Sequence, residues 1–287
     1  MSVRETIRRE LSQLTTSERK IGSAVLADYP FGALQTIQEL AERTGVSAPS
    51  ITRFVSKIGF GGYQEFQRQL ISELREGGRS PVDLKATERL GDKDTFLADY
   101  ARRAAERLGD MADDLAQDEF DRIVALMADP TRNVFLLGGR VSDSIAALLA
   151  IHLKQIRPRV HQLPADPERW PDQLLQMRSK DVLVLFDFRR YQADLAELAA
   201  LVSGQRRAAI VLVTDKWMSP IARYSDHVVA LPIEIGTAWD TLVGAVAFVE
   251  ALIVKVSEAD WPATRKRLEA WDALRPGRSG KKREDKP

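Results

Sequence analysis

The chain has 287 residues, 44% of them hydrophobic, enough to bury substantial cores and, by length, closer to two domains than to one. Its 42 basic and 41 acidic residues leave a formal net charge of +1, so bulk charge singles out no polyanionic partner and any nucleic-acid surface must be local. The absence of cysteine excludes disulfides, thiolate nucleophiles and cysteine-ligated metals, and is compatible with a reducing cytoplasm.

The opening stretch, MSVRETIRRELSQL, is polar and amphipathic, without the apolar core of a secretion signal. No segment approaches the ~20 uninterrupted apolar residues of a membrane span, so a soluble, cytoplasmic protein with no membrane partner is expected. Up to about Leu74 apolar residues recur at helical spacing, as in Ile21, Val25, Leu26 and Ile51, Phe54, Val55, Ile58, which predicts an all-α bundle over residues 1–78. The breaker cluster REGGR, followed by Ser80 and Pro81, predicts a boundary. Residues 79–128 then read as a linker and connecting helices, with Phe96, Tyr100, Ala104, Leu108 and Met111 on one stripe. From 129 to 274, short Val/Leu/Ile runs (134–137, 182–186, 210–213, 228–231) alternate with amphipathic helices. That alternation predicts an α/β domain with a parallel sheet flanked by helices on both faces. The polar residues 275–287, RPGRSGKKREDKP, read as a disordered basic tail.

The first chemical motif is TIQELAERTGVSAPSITRFVSKIGF, residues 36–60. Thr36 and Glu39 have capping-box spacing, and Gly45 fits the left-handed position that ends a helix. Ser47 then suits an N-cap and Pro49 a first helical turn, where no amide hydrogen is needed. Two short helices joined by a glycine turn make a helix-turn-helix. The second presents Ser47, Pro49, Ser50, Thr52, Arg53, Ser56 and Lys57 around an apolar inner face, a composition suited to base edges and phosphates in a major groove. The alternative is an ordinary helical hairpin with solvated polar residues.

The N-terminal stretch resembles the helix-turn-helix domain of the RpiR family of bacterial regulators, through Leu14 to Glu18, Ile37 to Ala41, Val46 with Ser47, Ile51 to Phe54, and Gly59 to Phe66. The segments NVFLLGGRVSDSIAALLAIHL, DVLVLFDF and AAIVLVTDKWMSPIARYSDHVVAL are similar to the family's sugar isomerase (SIS) domain. The resemblance implies a DNA-binding bundle followed by a domain that binds phosphosugars.

The resemblance also places two ligand loops. Gly138, Gly139, Arg140, Val141 and Ser142 form a strand-to-helix turn, which can offer backbone amides and the Ser142 or Ser144 hydroxyl to an anion, or can simply be a tight connection. In the second loop the family has a serine- and threonine-rich cradle, whereas this chain has Asp187, Phe188, Arg189, Arg190, Tyr191 and Gln192. Guanidinium groups can replace hydroxyls by gripping phosphate or carboxylate. Arg140, Arg189 and Arg190 are therefore expected to converge on one acidic group; the competing arrangement pairs the arginines with acids such as Asp187 or Asp240. Trp217 and Trp239 are candidate pocket walls.

His152, His161 and His227 show no ligand spacing, and neither a metal nor a cofactor is expected. The chain therefore reads as a transcriptional regulator whose affinity for a double-stranded operator, an inverted repeat, responds to a small carbohydrate-derived or acidic effector. A homodimer or homotetramer is expected, since one recognition helix reads few bases. The alternative is a sugar-phosphate isomerase with an accessory helical domain, for which Glu234 is the single candidate carboxylate and no histidine partner is evident.

Overall fold

The computed structural model describes residues 2–86 and 95–275. Its N-terminal unit is a bundle of α1 (Val3–Glu10), α2 (Thr16–Ala27), α3 (Ile37–Thr44), α4 (Ala48–Lys57) and α5 (Tyr63–Gly77). Three of these start with reciprocal capping boxes, Ser2 with Glu5, Thr15 with Glu18 and Thr36 with Glu39, each satisfying amides that a helix start leaves orphaned. Gly45 ends α3 at φ 64°, a conformation that costs glycine little, and turns the chain into α4. Ile7, Ile21, Leu40, Ile51, Phe54, Phe66 and Leu70 are fully buried together.

Two glycines end α5, and α6 (Pro81–Lys85), α7 (Phe96–Asp114) and α8 (Gln117–Ala128) lead into the second unit. There β1 (Val134–Gly138), α9 (Asp143–Ile156), β2 (Val160–Gln162), α10 (Trp170–Leu174), β3 (Val182–Phe186), α11 (Ala193–Leu201), β4 (Ala209–Asp215), β5 (His227–Leu231), α12 (Val243–Ala259) and α13 (Trp261–Ala273) follow in order. The five strands are all parallel, in the order β2-β1-β3-β4-β5. Strand residues alternate between two cores. Val134, Leu136, Val182, Val184 and Val211 pack with α8, α9 and α12, while Phe135, Leu137, Leu183, Leu185 and Ile210 pack with α10 and α11. Burial on both faces explains why the strands read as unbroken apolar runs.

The two units are in contact. Met218, at the end of the β4 loop, is buried in the bundle's core. Beside it Arg223 lies 3.5 Å from Asp28 and 4.9 Å above the Phe31 ring. Apart from Arg275, the tail predicted to be disordered lies outside the described residues.

Candidate DNA interface and effector pocket

Helix α4 buries Ile51, Phe54 and Val55 and exposes Pro49, Thr52, Arg53 and Ser56, so its outward surface carries most of the residues predicted for base and phosphate contact. Ser47 has the extended backbone of an N-cap, but its side chain caps no amide. Its Oγ instead lies 3.0 Å from Ser50 Oγ, which also accepts from Arg53 Nη2 at 3.1 Å. Lys57 is engaged within the bundle. Its Nζ donates to the Gln13 carbonyl at 2.8 Å and to Glu18 Oε2 at 2.9 Å, fastening α4 to the start of α2. An ammonium committed to a carboxylate is poorly placed to neutralise phosphate, so Arg53 is the stronger cationic candidate on this helix.

In the second unit the strand order reverses direction between β1 and β3, and open α/β sheets bind ligands at such a crevice, beyond the strands' carboxyl ends. A cavity of about 450 Å³ opens there. Of the residues predicted for the effector, Gly139, Arg140, Ser142, Asp187, Arg189 and Arg190 line it, and Gly138, Ser144 and Tyr191 do not.

In the first loop the amides of Gly138, Gly139 and Arg140 already have partners within the protein. Gly138 N–H donates to Asp143 Oδ1 at 3.0 Å, Gly139 N–H to the Phe186 carbonyl at 2.9 Å, and Arg140 N–H to Gln192 Oε1. The Ser142 hydroxyl donates to the Phe186 carbonyl at 2.6 Å and that of Ser144 to the Val141 carbonyl at 2.8 Å. Gly138 has a packing role, since a Cβ there would stand 2.4 Å from Asp143 N.

The three arginines line the one cavity but are differently exposed. Arg140 and Arg190 are exposed at the cavity, whereas the Arg189 side chain is only 3% exposed. Its Nε lies 3.1 Å from Asp240 Oδ2, its Nη2 3.8 Å from Glu234 Oε1, and its Cζ 4.0 Å above the Trp217 ring. Among the described residues none of the three guanidinium nitrogens has a hydrogen-bond partner of proper geometry. Asp187 accepts from Ser219 Oγ and from the Gln192 amide. Burial pushes its carboxyl up to about 7, the Ser219 bond pulling the other way. Burial also raises Asp240, to about 6, against the opposing pull of Arg189.

Tyr191 turns away from the cavity, its hydroxyl donating to the buried Asp215 Oδ1 at 2.6 Å. Burial raises Asp215 as well. The cavity wall also includes Gln192 of the second loop and residues that the sequence did not single out for it: Ile233 and, from the segment after α5, Arg79, Pro81 and Leu84. Trp239, 71% exposed, lines it too. No group of acidic and histidine side chains able to hold a metal occurs among the described residues.

A model of the rpiR-family helix-turn-helix domain matches residues 1–77, and one of the SIS domain matches residues 127–255. The chain is 33% identical over 235 residues to the HTH-type transcriptional regulator HexR of Pseudomonas aeruginosa, covering 80% of this chain and 78% of that protein. With HexR of Escherichia coli it shares 24% identity over 239 residues, 81% and 78% of the two chains. Among solved structures, the Vibrio vulnificus NanR protein complexed with ManNAc-6P matches with a TM-score of 0.52 at 18% identity, over 93% of this chain and 96% of NanR. The sugar isomerase domain of an RpiR transcription factor from Sphaerobacter thermophilus matches with a TM-score of 0.58 at 19% identity, over 63% of this chain and 99% of that one. At such identities the structural likeness speaks for the fold.

Proposed function

The chain belongs to the rpiR family of helix-turn-helix transcriptional regulators with a SIS domain, and from that premise we propose that it binds an operator through α4 and releases or tightens it when an acidic, carbohydrate-derived effector enters the cavity between β1 and β3. The observation that carries this reading is a cavity lined by four arginines, Arg79, Arg140, Arg189 and Arg190, against two carboxylates, Asp187 and Asp240. Arg140 and Arg190 stand exposed at it, and buried Arg189 has donors without hydrogen-bond partners. Asp240 offsets Arg189, and Asp187 is raised towards neutrality, so the surplus rests on the exposed Arg140 and Arg190. The ManNAc-6P held by NanR is a sugar carrying an anionic group, the ligand chemistry proposed here.

The base expected for the isomerase alternative, Glu234, is not at the cavity. It contacts Lys216 and Arg189. His161 stacks on Phe135 and His227 pairs with Glu119. A homodimer or homotetramer on an inverted repeat completes the proposal, with exposed Phe96 and Leu97 on α7 and Ile151 on α9 as candidate subunit contacts.

Calorimetry of the full chain tests the effector reading. A sugar acid or sugar phosphate should bind while the corresponding neutral sugar does not, and Arg140→Ala with Arg190→Ala should weaken that binding by about tenfold or more. Equal binding of the neutral sugar, or turnover in an aldose-ketose assay, would sink it.

A further inference from the structure

The segment that leaves the DNA-binding bundle forms part of the effector cavity: Arg79, whose Nη1 donates to Glu76 at 3.1 Å and whose Nη2 donates to the Asp83 carbonyl at 2.7 Å, lines it with Pro81, Leu84 and the ligand loops of the SIS domain, so that its fork of donors is held in place at the wall. That segment is fastened at its root. The Arg190 amide, inside the second ligand loop, donates to the carbonyl of Gly77, the last residue of α5, at 2.9 Å. The approach is close because Gly77 has no side chain. A Cβ there would lie 3.2 Å from the Tyr191 hydroxyl, 3.3 Å from Tyr191 Cε2 and 3.2 Å from Trp217 Cβ. Alanine is the better helix former, so helix propensity alone gives no reason for glycine within α5. The same Trp217 carries the Arg189 guanidinium on its ring, and Tyr191 is anchored to Asp215. The end of α5 therefore touches the two side chains that set the geometry of the ligand loop.

We infer that the effector site is shared between the two domains: Arg79 supplies a ligand contact from the DNA-binding side, and Gly77, latched to Arg190 and packed on Tyr191 and Trp217, positions it. The inference rests on the effector reading above and adds to it the route by which occupancy reaches the recognition helix. A ligand that contacts both walls changes affinity with the position of α5, and by reciprocity its binding biases that position. Helix α5 shares one apolar core with α4, Phe66 and Leu70 lying in the same buried cluster as Phe54 and Val55, so a shift of α5 is felt at the DNA-reading surface.

Two variants of the full chain separate the parts. Hydrogen exchange at the Arg190 amide reads the latch without any ligand. Gly77→Ala should speed that exchange at least tenfold while amides of the central strands stay protected, because the added methyl needs the space taken by Tyr191 and Trp217. Calorimetry with gluconate and glucose 6-phosphate reads the shared wall. Arg79→Ala should weaken whichever probe binds wild type by about tenfold, the loss expected for one charge-assisted hydrogen bond, and Gly77→Ala should weaken it too. Unchanged exchange at Arg190 in Gly77→Ala overturns the latch whether or not a probe binds. Equal probe affinity in Arg79→Ala overturns the shared site and leaves the effector reading standing. Failure of both probes on wild type counts against the effector reading alone, and the exchange experiment still decides the latch.

Discussion

Asp187 provides a quantitative test of the pocket's charge. Its carboxyl is 1% exposed and rises from 3.8 to about 7, chiefly through burial. Each tenfold change in proton affinity is worth about 1.4 kcal/mol, so the native state disfavours ionised Asp187 by about 4 kcal/mol relative to the unfolded chain. The sign follows from linkage. With the folded value raised, the native state holds more protons between the two values, and stability falls as pH rises through that window. Between about pH 5 and about pH 8 this one group should therefore remove about 2 to 3 kcal/mol, with the loss levelling off above the folded value. Asp187→Asn keeps the shape and the capacity to accept from Ser219 or Gln192, but removes the ionisation. The assay is urea denaturation of wild type and variant across that range, followed on the SIS domain. The difference between them is the informative quantity, because Asp215 and Asp240 are raised as well and slope the same way in both proteins. The variant should gain on wild type as pH rises. Parallel curves would mean that Asp187 is already ionised in the folded protein at pH 5, and a negative wall would then undercut the proposed preference for acidic ligands.

On the DNA side, Arg53→Ala should weaken operator binding and lower the slope of log affinity against log salt by about 0.9 if it contacts one phosphate. Lys57→Ala should leave that slope nearly unchanged, and Glu18→Gln should reproduce whatever affinity loss it causes, since the pair acts by fastening α4 to α2. Equal slope changes for Arg53 and Lys57 would return the lysine to the interface. Sedimentation at micromolar concentration should give a dimer or tetramer, and a monomer bound to a single half-site would contradict the proposed inverted repeat. Phe54→Ala, which empties a fully buried site between α2 and α4, should cost about 3 to 5 kcal/mol of bundle stability by thermal or urea unfolding, and a much smaller loss would show that the bundle collapses around it.

What the sequence disclosed was local. Thr36 with Glu39, Gly45, Ser47 and Pro49 announced two short helices and their turn, because capping and left-handed turns depend on residues three or four apart. Strands β1, β3, β4 and β5 showed as apolar runs, whereas the three residues of β2 are too few to form one. Helix α13 went unread because Trp261 and Trp271 face outward and give it no single apolar stripe.

At the site, proximity of the two ligand loops followed from the family resemblance and the sheet, but side-chain partners did not. Lys57 meets Glu18 across 39 positions, Arg189 meets Asp240 across 51, and Gln192 caps the Arg140 amide across 52. Such pairings are set by tertiary packing, and no local spacing encodes them. The contribution of Arg79 to the cavity was hidden for the same reason, within a stretch whose glycines and proline read only as a linker.

The central claim is that ligand in the SIS cavity controls the affinity of α4 for DNA. Fluorescence anisotropy of a labelled duplex from the gene's own upstream region, titrated with full chain in the absence and presence of saturating sugar acid or sugar phosphate, measures this directly at fixed salt. At least a tenfold change in Kd is predicted for a ligand that binds by calorimetry, and the change should vanish when Arg140 and Arg190 are both alanine. A ligand that saturates the cavity yet shifts the operator Kd by less than twofold would contradict the account.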